Sequence, residues 1–596
     1  RRWVQCSFGS YVVPCIVAMG ASLVIRLWAT LLLVQAAAMI GEVRHLEEGP
    51  VQGTCSGTVC EFLGLPYAAA PVHDLRWRPP QAMTPWKTLR SARAFGNNCL
   101  QVKGKSIIGN EDCLFLNIWA PRQCHSAASN ASCSVMFWIH GGSYVTGGTK
   151  DMFNGTQLAK EFGVIIVTVN YRLGILGFAG ADALRTRDPS TNSTGNYGIQ
   201  DQRAAMQWVH RNIHAFGGNS SELVLFGESA GAGSIAVHLT SPLSWPWYRR
   251  VIMQSGAFSY WNSQPMEDAE RQFQVLLEAT KCGHSISCLL SKPADELTGL
   301  ATVELNPEPL PEAWKAYGTF FSPTVDGIQL KDFPWKLLSD GRINQVQVLL
   351  GFNKDEGTVL SACEGTPKCQ TLHKGSAMKE SDFKNLMTRD LFNISEAELP
   401  ELLNVYVPDS EEKDNHDWYW IVAEIYGDYS IACPSLRAAD QLSNITDTYL
   451  YRFAHTPKGH APKWAGIFGE NGTVGASHAA ELGFVWLGAD GWNASTGDGG
   501  WELQKDERPL AETMATYWTN FAKSGNPNIP RNGTSLSVSW PMAHHATTLT
   551  FASSLDVAEL SHLRRRCKLL EPFGAMVEGY TQTRRLKSKD EFALLI

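Results

Sequence analysis

The chain has 596 residues, a formal net charge of −7, 44% hydrophobic and 18% charged residues. That much apolar material buries a core without metals or staples, and mild acidity with no basic block excludes a nucleic-acid partner. Catalysis or small-molecule binding remains, and length alone leaves the domain count open.

In chain order, the N-terminus reads as a targeting segment. Met19 is a candidate start, Arg26 supplies positive charge, Leu27–Val34 forms an apolar core and Ala36–Ala38 offers an A-x-A cleavage site. Residues 1–38 are expected to be a cleaved leader, with 1–18 ahead of the true start. The alternative is a signal anchor, because residues 11–40 are almost wholly apolar. No later stretch is long and apolar enough to span a bilayer, so no stable span is expected in the mature chain.

Cysteines and sequons fit an exported product. If Cys6 and Cys15 leave with the leader, the fourteen cysteines fall to twelve. Ten sit as close neighbours: Cys55/Cys60, Cys99/Cys113, Cys124/Cys133, Cys282/Cys288 and Cys363/Cys369, leaving Cys433 and Cys567 for each other. Short cysteine-flanked loops in an exported chain are expected to be disulfides. None has the paired C-x-x-C spacing of a zinc site, so no metal is expected. Glycosylation acceptors stand at Asn130, Asn154, Asn192, Asn219, Asn393, Asn444, Asn471, Asn493 and Asn532. A secreted, disulfide-bonded glycoprotein is the expectation.

Beyond the leader, "SVMFWIH" (134–140) and "GVIIVTVNYR" (163–172) are dense in β-branched and aromatic residues, as buried parallel strands are. The spacing predicts a helix over 196–213, ending before a Gly-Gly breaker. "ELVLF" is then a strand and "AGSIAVHLT" a helix, while "VQVLLG" (346–351) and "TYLYRF" (448–453) are further strands. Such alternation predicts an α/β fold with a large, mixed, mostly parallel sheet and helices on both faces. The glycine-rich stretch 490–500 reads as a surface loop. One catalytic domain is expected over 39–575, followed by a basic tail over 576–596.

Between "ELVLF" and its helix lies Gly227-Glu228-Ser229-Ala230-Gly231, a G-x-S-x-G pentapeptide in the strand–turn–helix context that the motif demands. Small flanking residues let the turn project the Ser229 hydroxyl, and the Ala230 N–H at the helix start can face an anion. "WIHGGSYVTGG" (138–148) resembles the glycine loop that supplies further oxyanion donors, here Gly142 and Ser143. Ser143 stands where the usual run has its third glycine, which preserves a backbone donor.

The chain resembles the type-B carboxylesterase and cholinesterase family of α/β-hydrolases. The resemblance is carried by "FLGLPYAAAP" (62–71), "EDCLFLNIWAP" (111–121), "VNYRLGILGF" (169–178), the 195–219 stretch, the elbow, "SPTVDG" (322–327), "GFNKDEGT" (351–358) and "GASHAAELGFVW" (475–486). It covers nearly all of the mature chain and implies a serine ester hydrolase that acts without a cofactor. It further implies that Glu356 is the triad acid and His478, followed by Glu481, the base. Chain order agrees, nucleophile before acid before base. Asp355 is the local rival for the acid, and His238 the rival for the base, although His238 precedes the acid. Glu228 and Ser255 resemble supporting positions near the triad; they can equally be a buried polar pair.

Family members selective for choline carry a tryptophan that corresponds to a position near Lys103. The loop from Cys99 to Cys113 has no aromatic residue, so cation–π capture of a quaternary ammonium is not expected there. "YGTFF" (317–321) resembles the segment bordering the acyl pocket. The expected partner is a small, neutral carboxylic ester. The alternatives are a cholinesterase and a non-catalytic adhesion protein of the neuroligin type, which keeps the fold but typically loses the serine.

Overall fold

The computed structural model describes residues 40–571, apart from 104–105, 126–131, 151–152, 301–320, 361–377, 391–393, 408–417, 459–474, 489–502 and 530–535. The leader, the basic tail, Cys363/Cys369, the loop 490–500, all of "YGTFF" except Phe321, and the sequons at Asn130, Asn393, Asn471, Asn493 and Asn532 lie outside the described residues.

Twelve strands form the main path of one sheet. In chain order they are β1 (Ile40–His45), β2 (Pro50–Ser56), β3 (Val59–Pro66), β4 (Phe115–Pro121), β5 (Cys133–Ile139) and β6 (Ile165–Val169). Then come β7 (Gly218–Glu228), β8 (Arg250–Gln254), β9 (Gln347–Asn353), β10 (Thr448–Phe453), β11 (Thr547–Phe551) and β12 (Leu555–Glu559). Their spatial order is β1-β2-β3-β4-β6-β5-β7-β8-β9-β10-β11-β12, with the short strand Arg90–Ser91 beside β2. From β6 to β11 every pairing is parallel, while β1 to β4, the β4–β6 pair and β12 are antiparallel. A mixed, mostly parallel sheet is therefore what the chain forms.

The middle strands read as unbroken apolar runs because both of their faces are covered. All seven residues of β5 and all five of β6 are buried. Alternate residues enter separate apolar layers, as the two-residue period of a strand requires. Val135, Phe137 and Ile139 join one layer with Leu225, Val251 and Leu350, whereas Met136 and Trp138 join the other with Phe226, Ile252 and Leu349. Helices α1 (Tyr197–Asn212) and α2 (Ala230–Thr240) pack into the first layer. So do α3 (Trp418–Gly427) and α4 (Cys433–Leu442), which are joined by a π-helical turn over Asp428–Ala432. Helix α5 (Arg508–Ser524) packs into the second layer through Met514, Trp518 and Phe521.

Among the described residues five disulfides are formed: Cys55–Cys60, Cys99–Cys113, Cys124–Cys133, Cys282–Cys288 and Cys433–Cys567. Each pairs cysteines matched from the sequence. Among the described residues no helix is long and apolar enough to cross a membrane. The parallel strands end on a common side, and β7, β9 and the loop before residue 482 deliver Ser229, Glu356 and His478 there.

Candidate active site

The site is built on the turn between β7 and α2. Ser229 takes φ 55° and ψ −124°, a backbone region sparsely populated by residues with a Cβ. The turn is held by the Ser229 amide, which donates to the Gln254 carbonyl on β8 at 2.9 Å, and by the Gly233 amide, which donates to the Ser229 carbonyl at 2.9 Å. The flanking glycines answer to close approach. A Cβ on Gly231 would stand 2.0 Å from the Ile139 carbonyl oxygen, and one on Gly227 would stand 2.7 Å from the same atom. The end of β5 thus occupies the space that side chains would need. A third glycine, Gly256, belongs to the same construction, since its Cβ would lie 2.4 Å from the Ser229 carbonyl oxygen. Sequence reading missed it because it lies 27 positions from Ser229 and only folding places it there.

The loop after β5 lies over the elbow. A Cβ on Gly141 would come within 2.9 Å of the Ser229 Cβ and 2.8 Å of Glu228 Oε2. Gly142, Ser143 and Tyr144 follow with φ of 105°, 52° and 62°. The turn closes on Gly142, whose carbonyl accepts from the amides of Val145 at 3.0 Å and Thr146 at 2.9 Å. Its outer end is gripped by Gln101, whose side chain donates to the Gly147 carbonyl at 2.6 Å and accepts from the Gly147 amide at 2.8 Å. Its root is fixed by His140, stacked on Tyr171 at 4.4 Å. Burial pulls the His140 ring down to about 4, so it stays neutral and donates from Nδ1 to the Gly141 carbonyl at 2.8 Å. Ala230, the remaining candidate donor, is fully buried at the start of α2.

Glu356 and His478 meet directly. Nδ1 of His478 lies 2.6 Å from Glu356 Oε2, while Glu356 Oε1 accepts the Asn353 amide at 2.6 Å. Both carboxylate oxygens are therefore fixed by donors. The other edge of the imidazole faces the elbow: Nε2 lies 3.1 Å from Glu228 Oε1, a charge contact without hydrogen-bond angles. Nε2 has no hydrogen-bond partner among the described residues, so no bond joins it to the Ser229 hydroxyl in this structure. Such bonds are commonly loose before substrate arrives. Ser255 is fully buried one residue beyond Gln254, and its amide donates to the Gly351 carbonyl at 2.9 Å.

The rival residues Asp355 and His238 make other contacts. Asp355 clasps the histidine loop, accepting the Ala476 amide at 2.8 Å and donating its own amide to the Ala476 carbonyl at 2.9 Å. His238 is fully buried in α2, with Nδ1 against Ser244 Oγ at 2.8 Å and Nε2 against Gln202 Oε1 at 2.9 Å. Both of its nitrogens are occupied. Glu481 backs the site from behind, accepting from Gln254 at 2.9 Å and from Asn353 at 2.6 Å. Gln254 in turn accepts from the Trp518 indole at 3.1 Å.

Buried carboxyls dominate the electrostatics. Burial opposes charge on His478, but Glu228, Glu356 and Glu481 outweigh it and hold the imidazole above its ordinary range. Burial also raises the Glu228 carboxyl, against the pull of His478 and with the help of Glu481 and Glu356. A charged imidazole would be stabilised here, as proton abstraction from a nucleophile requires.

Comparison with known proteins agrees with this geometry. The Carboxylesterase family profile matches residues 41–567. The chain is 31% identical to a cholinesterase of Mus musculus over 84% of this chain and 80% of that protein. It is 30% identical to an acetylcholinesterase of Danio rerio over 82% and 80%. It is also 31% identical to acetylcholinesterase 1 of Caenorhabditis elegans over 80% and 78%. With that match spanning sheet, elbow and histidine loop alike, the chain belongs to the carboxylesterase family of α/β-hydrolases.

Proposed function

We propose that this family hydrolase cleaves neutral carboxylic esters through an acyl-enzyme formed on Ser229. His478 takes the Ser229 proton as the hydroxyl oxygen attacks the ester carbonyl, then gives it to the departing alcohol. Glu356 holds the imidazole by Nδ1 and offsets its positive charge. The amides of Gly142, Ser143 and Ala230 receive the tetrahedral oxyanion. Water then repeats the attack, releasing the acid and restoring Ser229. The observation that carries this reading is the 2.6 Å contact of Glu356 with an imidazole whose free nitrogen faces the elbow.

A fluorophosphonate probe tests it. The wild-type chain is expected to label and to hydrolyse p-nitrophenyl acetate and butyrate, while Ser229→Ala does neither. Labelling that persists in Ser229→Ala overturns Ser229 as the nucleophile, whereas a wild-type chain that neither labels nor turns over either ester overturns the enzyme reading and favours the adhesion one.

The names of the relatives favour a second reading, a cholinesterase. Against it stands the Cys99–Cys113 loop, whose described part is a small hairpin of Gln101–Lys103 and Ser106–Ile108 without an aromatic ring. Comparison of kcat/KM for acetylthiocholine and p-nitrophenyl butyrate separates the two. We further propose export through the secretory pathway, consistent with the disulfides, with the leader over 1–38 removed and 39–575 folding as the catalytic domain.

A further inference from the structure

The loop that carries Glu356 has a second neighbour besides His478. A Cβ on Gly357 would stand 1.7 Å from the Ala423 carbonyl oxygen, and one on Gly427 would stand 2.6 Å from the Gly357 amide and 3.2 Å from the Glu356 Cβ. Helix α3 therefore packs directly on the backbone of Gly357 and on the Glu356 Cβ. Its Tyr419 hydroxyl also donates to the Thr358 carbonyl at 2.6 Å.

Immediately after Gly427 the helix widens into the π turn Asp428–Ala432 before continuing as α4. Single π turns inside α-helices are rare and cluster at functional positions. This one is held from outside. Asp428 is buried and accepts the Tyr406 hydroxyl at 2.9 Å. Arg566, in the helical segment 561–571, lies 3.7 Å from Asp428, pairs with Glu424 and places its guanidinium 4.6 Å from the Tyr406 ring. The next residue, Cys567, is bonded to Cys433, the first residue after the π turn. Burial lowers the Arg452 guanidinium on β10, against the charges of Asp355, Asp428 and Glu424. His562 faces Arg452, Arg566 and Glu424. Burial lifts the Asp428 carboxyl to about 7, and Arg566 is the strongest influence keeping it ionised.

We infer that the C-terminal segment 561–571 braces the triad acid from behind, with Arg566, Asp428 and Tyr406 as positioning residues for Glu356. The inference rests on Glu356 being the triad acid, as proposed above. The brace touches no substrate: it sets the angle at which α3 presses on Gly357, and hence the aim of the carboxylate at Nδ1. Glu356 raises the imidazole, so a slackened brace lets His478 fall toward its ordinary value.

The test uses the full chain and p-nitrophenyl butyrate. Arg566→Met is expected to lower kcat about tenfold, as small misplacements at an active site do. KM should stay within about twofold, and the acidic limb of the kcat/KM profile should move to lower pH. Arg566→Lys, which keeps a charge for Glu424, should recover most of the loss. Tyr406→Phe, which keeps the ring but not the hydroxyl, should show the same signature more weakly, and it decides the matter if Arg566→Met fails to fold. Folded variants with wild-type kcat and an unmoved acidic limb overturn the brace. Fluorophosphonate labelling keeps the two ideas apart: labelling lost in Ser229→Ala with unmoved brace variants removes only the brace, whereas labelling retained in Ser229→Ala removes the triad on which it stands.

Discussion

Glu228 is a side chain whose acidity changes on folding, since burial raises its carboxyl. It precedes the nucleophile, is buried, and sits 3.1 Å from His478 Nε2. Because its charge is one of the influences that hold the imidazole up, Glu228→Gln should lower the imidazole pKa. With His478 as the proposed base, which must be neutral to take a proton, the acidic limb of kcat/KM should shift to lower pH in this variant; an acidic limb at unchanged or higher pH contradicts the assignment. Gly231 makes a steric prediction. With a Cβ only 2.0 Å from backbone oxygen, Gly231→Ala must push α2 away from β5. Such overpacking costs about 1–3 kcal/mol or more, measurable as a lower denaturation midpoint together with lost probe labelling. The motif glycines could be read in the pentapeptide because their spacing is local. Gly141 and Gly256 could not be assigned this role, because their demand for space comes from Ser229 and Glu228, far away along the chain.

At the level of elements, the site is a meeting of three loops at one end of the sheet, and Asp355 joins two of them. It fixes residue 476 through both its side chain and its backbone, which makes an isolated parallel bridge between 355 and 477. Asp355→Ala removes the acceptor for the Ala476 amide, and an unsatisfied partly buried amide costs about 1–3 kcal/mol. The expected outcome is a modest drop in thermal midpoint with a larger fall in kcat than in KM, read by melting and steady-state kinetics. Equal losses in kcat and Ser229→Ala-like silence would instead make Asp355 the acid. Strand positions were legible from composition, since strands buried on both faces leave unbroken apolar runs. The antiparallel margin of β1 to β4 was expected only as part of a mixed sheet: β2 shows a half-exposed alternation, but β3 and β4 are largely buried, and no side-chain period states which way a strand runs beside its neighbour.

For the molecule as a whole, Cys433–Cys567 is the long-range tie, spanning a sequence separation of 134 and anchoring residues 561–571 to α4. In the chain-entropy account a closed loop of this size stabilises the fold by roughly 4 to 5 kcal/mol. Replacing both cysteines by alanine should therefore lower the unfolding free energy by several kcal/mol, measured by denaturant titration. By contrast, removing Cys282–Cys288, which are separated by 6 residues, should cost less on the same scale.

The residues themselves determined the alternating architecture, the tight strand–helix turn at Ser229 and four short-range cysteine pairings, because each is written in local spacing or composition; Cys433 and Cys567 were matched only as the two left over. Proposing Glu356 and His478 as acid and base needed resemblance, and bringing them together needed the fold: His478 lies 249 positions from Ser229. Only tertiary structure could decide that Asp355 is a clasp and His238 a sealed core residue. It likewise decided that Glu228 faces the imidazole and that a helical turn near residue 428 presses on the acid loop. Burial, charge coupling and close approach of backbones are properties of neighbours in space, and no period along the chain encodes them.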